Sequence, residues 1–81
     1  MTTASEIYLM ARRLAASLRA VNMTDWADRI ENAITGGSTG TEIMMELREI
    51  SAQLRDAREL SESLSSQATE LHRALQRALQ V

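Results

Sequence analysis

The chain is predicted to be all-α, a small antiparallel bundle of three to four helices, on three observations. Its 81 residues include no proline, and Tyr8 and Trp26 are the only aromatics, so a core must come from Leu, Ile, Ala, Val and Met. That palette suits helices and starves sheets. Apolar residues recur at spacings of three and four along most of the length, the period of a helix face. All three glycines lie in one segment, Gly36-Gly37-Ser38-Thr39-Gly40-Thr41-Glu42, which divides the chain into two helical halves. At this length one domain is the most expected, since a small domain buries only about 60% of its unfolded surface.

The first helix is predicted over about residues 4–21. Thr3-x-x-Glu6 has the spacing of a capping box, and Ile7, Ala11, Leu14, Leu18 and Val21 share one face, thickened by Met10 and Ala15. Asn22-Met23-Thr24 is polar enough to break it. Thr24 is expected to cap a second helix over about 25–35, with Asp25 and Asp28 near the positive end of its dipole and Asp25 paired to Arg29 across one turn. Trp26, Ile30, Ala33 and Ile34 form its docking face, with Trp26 expected to be buried. Gly36 is expected to close this helix in the left-handed conformation, and Thr39 with Glu42 to open the third through a second capping box.

Beyond Thr41 there is neither glycine nor proline, and a heptad-like stripe runs through Ile43, Leu47, Ile50, Leu54, Ala57, Leu64, Ala68, Leu71, Leu75 and Ala78, with Ser61 in its one gap. Two architectures compete. A bend near Arg55-Asp56-Ala57-Arg58-Glu59 would give a third helix over about 40–55 and a fourth over about 57–80, because Leu60 lies out of register and a serine cluster follows. The alternative is two short helices plus one long coiled-coil helix, about 60 Å in length, that dimerises along a seam from Leu47 to Leu79. The bend is favoured.

Composition narrows the function classes. With no cysteine, neither a disulfide framework nor a thiolate metal site is available. No apolar run approaches a membrane span or a secretory signal, and Glu6 with the strict periodicity outweighs a transit-peptide reading of Arg12, Arg13 and Arg19, so a cytoplasmic location is expected. A net charge of −2 does not advertise nucleic-acid binding. The glycine segment makes a poor phosphate loop: no lysine follows its last glycine, no strand is expected before it, and Glu42 puts negative charge where phosphate would sit. An anion-binding loop is therefore a minor alternative. His72, the only histidine, has no carboxylate on its own helical face and is expected to form a basic surface edge with Arg73 and Arg77. No nucleophile and base can be named together, so neither enzymatic activity nor a cofactor is expected.

What remains is surface patterning. Glu42, Glu46 and Glu49 make an acidic ridge suited to a basic partner or to arginines elsewhere in the chain. Met44 adjoins the apolar stripe, whereas Met45 points elsewhere and is the more informative binding candidate. The repeated Arg73-Ala74-Leu75-Gln76 and Arg77-Ala78-Leu79-Gln80 make an amphipathic end that fits a bundle or a dimer seam.

The segment Trp26-Ala-Asp-Arg-Ile-Glu-Asn-Ala-Ile-Thr-Gly-Gly-Ser-Thr-Gly-Thr-Glu-Ile-Met-Met-Glu46 resembles one found in small bacterial helical proteins to which no activity, cofactor or ligand is attached. The resemblance implies a helical fold and a bacterial origin. The function expected is a non-enzymatic protein-protein interaction module, of immunity, antitoxin or inhibitor type, or else a coiled-coil homo-oligomeric adaptor. Its candidate contact residues are Glu42, Met45, Glu46, Glu49, Arg73 and Arg77, and its partner is another protein or a second copy, with neither nucleic acid nor membrane involved.

Overall fold

In a computed structural model, which describes residues 2–80, helix follows helix around one core: α1 (Ala4–Ala20), α2 (Thr24–Gly36), α3 (Gly40–Arg55) and α4 (Glu62–Leu79). Each helix packs on the next and α4 returns to α1, so the four form a ring in which α1 and α3 stand at opposite corners. Cross-helix pairs show the direction of travel. Arg48 reaches Gln76 and Arg55 reaches His72, so numbering rises along α3 as it falls along α4. The helices alternate in direction, as short connections require.

Capping explains most boundaries. At the start of α1 both halves of the capping box form: the Glu6 amide donates to the Thr3 hydroxyl at 3.2 Å, and the Thr3 amide donates to the Glu6 carboxylate at 3.4 Å. At its end Asn22 takes the left-handed conformation, φ 64°. The Asn22 amide donates to the Arg19 carbonyl and the Met23 amide to the Leu18 carbonyl, which is the Schellman closure with asparagine where glycine is commoner. This displaces the expected cap of α2. Thr24 is already helical, Met23 occupies the cap position, and no side chain caps that end.

The glycine segment differs in detail from its expected geometry. Gly36 is the last residue of α2 and no glycine among the described residues has positive φ, so the left-handed closure expected there does not occur. Glycine is required instead at Gly37, where an added Cβ would overlap the Ile43 side chain and lie 3.2 Å from the Ala33 carbonyl. The reason is close approach of α2 to α3, not backbone handedness. At Thr39 the hydroxyl accepts from the Glu42 amide at 3.1 Å, without the reciprocal Glu42 carboxylate bond that the capping box predicted.

The chain turns between Arg55 and Glu62, which excludes the single long helix as the arrangement adopted. The fourth helix begins at Glu62 rather than near residue 57 because Ser61, read as filler in the stripe, is its cap: its hydroxyl accepts from the Leu64 amide at 3.2 Å. Leu60, out of register for a helix, packs half-buried on the core from the connection.

The core takes the expected stripes with three corrections, of which the first is that the C-terminal stripe ends at Leu75, Ala78 being exposed. Ile7, Leu14, Leu18, Ile30, Leu47, Leu54, Leu71 and Leu75 are fully buried, joined by Ala11, Ala15, Ala27, Ala33 and Ala68. On α2 the buried line runs through Ala27, Ile30 and Ala33, while Trp26 is only half-buried with the Arg29 guanidinium 4.7 Å from its ring centre. The small Ala27 lets α2 approach closely, and the indole is displaced to the rim. Val21, expected on the α1 stripe, lies past the helix end and is 53% exposed. Among the described residues Ser51 is the one buried polar residue, and its hydroxyl donates to the Arg48 carbonyl at 3.0 Å. No buried side-chain polar atom among the described residues lacks a partner.

Candidate interaction surfaces

The outer face of α3 carries four of the predicted contact residues. Met45 stands two and a half turns, about nine residues, before the fully buried Leu54 and therefore points directly away from the core. It is 50% exposed, with exposed Glu42, Glu46 and Glu49 beside it. Among the described residues none of these carboxylates pairs with an arginine; Glu49 accepts from Gln53 one turn on, at 3.1 Å. The cations of α3 are turned aside. Arg48 reaches Gln76, and Arg55 lies against His72 and its neighbour Asp56. Arg29 of α2 donates to Gln53 at 2.8 Å and stacks on Trp26, so it does not make the expected pair with Asp25. The ridge is thus a coherent anionic strip around one exposed thioether.

The basic edge predicted on α4 divides in two. Arg73 and Arg77 are exposed and line a groove beside α1, with Thr2, Met10, Ala74 and the acidic Glu70. His72 faces the other way, onto α3, with its Nδ1 3.5 Å from an Arg55 nitrogen. Burial, and then Arg55 and Arg48, lower its pKa from the ordinary histidine value, with Asp56 opposing. One residue of helical rotation, about 100°, separates the two environments.

A third surface was not singled out by periodicity. Leu9 lies two and a half turns, about nine residues, before the buried Leu18, is 48% exposed, and sits among exposed Arg12 and Arg13 on the outer face of α1. The signal was present as an apolar residue opposite the stripe, flanked by two cations. Arg19, the other cation of α1, is committed to α2, donating to Asp28 at 2.8 Å and Glu31 at 2.6 Å, and those bonds raise its pKa, Glu31 first.

No protein-family model, curated protein or solved structure matches the chain. Among the described residues no group of three or more His, Cys, Asp or Glu side chains converges as a metal site would, and no helix is long and apolar enough to cross a membrane.

Proposed function

We propose that the protein is a non-enzymatic protein-protein interaction module that binds a basic, helical surface through the outer face of α3. One observation carries the reading: an exposed methionine is centred on three exposed carboxylates, on a helix whose inner face is occupied by the core. Methionine adapts its shape to a partner, and the carboxylates supply steering and register. Size and lack of a nameable nucleophile-base pair suit an immunity-, antitoxin- or inhibitor-type binder acting in the cytoplasm. Net charge of −2 favours a protein partner over nucleic acid.

The test is a titration of isotope-labelled protein with a synthetic lysine- and leucine-rich amphipathic helical peptide. Amide shifts should move along α3 around Met45, and Glu46→Arg with Glu49→Arg should abolish the response. No α3 perturbation at millimolar peptide, or a response indifferent to charge reversal, would refute the reading.

A further inference from the structure

We infer that the basic helical surface recognised by α3 is the outer face of α1 on a second copy of this chain, so that copies join head to tail. The inference rests on the α3 reading and goes beyond it by naming the partner. The two faces are chemical complements: Met45 with Glu42, Glu46 and Glu49 on one, Leu9 with Arg12 and Arg13 on the other. The contrast is one of excess. Exposed Glu6, which accepts from Thr3, lies one turn from Leu9, and Arg12 shares a groove with Glu31 of α2. The α1 face thus carries two cations beside one anion, whereas on α3 Arg48 is directed to α4 and three carboxylates surround Met45.

Position in the fold determines what such pairing builds. Because α1 and α3 occupy opposite corners of the ring, their outer faces look in opposite directions, and one copy cannot close both contacts with a single neighbour. A contact between unlike faces is heterologous, and without a closing rotation it extends from copy to copy. Each face offers one large exposed apolar side chain, which places the contact at the weak, transient end of protein interfaces and makes it dependent on charge.

Sedimentation equilibrium over a concentration series tests this at about 0.01 M and about 1 M salt, where the screening length falls from about 30 Å to about 3 Å. In low salt the average mass should rise past that of a dimer, and high salt should return it to monomer. Variants with Glu46→Arg and Glu49→Arg, or with Arg12→Glu and Arg13→Glu, should each associate at least about tenfold more weakly. An equimolar mixture of the two should recover association, because each then presents to the other a complementary pair of faces. Circular dichroism checks that both variants remain helical. A wild-type chain that stays monomeric in low salt, stops at a dimer, or associates regardless of either reversal overturns the inference. If the basic peptide still perturbs α3 while the chain stays monomeric, the self-assembly alone is wrong; if neither binding occurs, the α3 reading falls with it.

Discussion

At the scale of single residues, the two glycines at the end of α2 should respond oppositely to the same substitution. A methyl group at Gly37 meets Ile43, so Gly37→Ala should cost about 1 to 3 kcal/mol, the range for overpacking. At Gly36 nothing lies within 4 Å of an added Cβ and φ is not positive, so Gly36→Ala should be neutral or stabilising by up to about 1 kcal/mol. Urea denaturation of both variants checks the pair. Trp26 provides a second residue-scale prediction. A fully buried tryptophan would cost about 3 kcal/mol or more on truncation, but the half-buried ring at the rim should cost only about 1 to 2 kcal/mol in Trp26→Ala. A measured loss above about 3 kcal/mol would mean that the indole is more deeply packed than described. Trp26 was misplaced because periodicity identifies an apolar face but not which member of it is small enough to lie at its centre.

At the scale of elements, the α1–α2 turn depends on Asn22. Asn22→Gly should preserve or slightly raise stability, whereas Asn22→Val should cost about 1 to 2 kcal/mol, the penalty for a β-branched residue held at positive φ. Thermal melts of both variants distinguish this closure from an ordinary polar break. The α3–α4 seam should be pH-sensitive through His72. Its pKa is lowered in the folded chain, so as pH falls through the ordinary value of 6.5 the unfolded chain binds a proton that the folded chain does not yet accept. Stability is therefore complete above that pH and declines below it, until the folded histidine also protonates. Urea midpoints between about pH 5 and 8 should fall toward acid in the wild type, and the histidine contribution should vanish in His72→Gln. Replacement at neutral pH should cost no more than about 1 kcal/mol, because the ring is only partly buried against α3.

At the scale of the whole molecule, the Cα radius of gyration of 11.6 Å agrees with the roughly 12 Å that compact-domain scaling gives for a chain this long. Small-angle scattering in high salt should return a value near this, plus a small contribution from side chains and hydration. An elongated particle would indicate instead that α3 and α4 had merged. That outcome would require exposing Leu54, Leu64, Leu71 and Leu75, all of which are buried within the ring, or covering them with another chain. The same burial commits the stripe from Leu47 to Leu75 to the core of a single copy.

The choice between one helix and two beyond Thr41 stayed open, whereas the helical class followed from local information, because cap spacing and a period near 3.6 residues are properties of contiguous sequence. The acidic ridge was legible for the same reason. Tertiary structure decided what required two distant segments at once: that Gly37 must lack a side chain because Ile43 arrives there, that Ala27 displaces Trp26 from the centre of the α2 face, and that Ser61 caps α4 once Leu60 is drawn onto the core. It also decided that His72 faces α3 while Arg73 faces outward. Local sequence specifies a helix and its apolar stripe, but the rotation of each helix about its axis is set by which side chains fit together in the shared core.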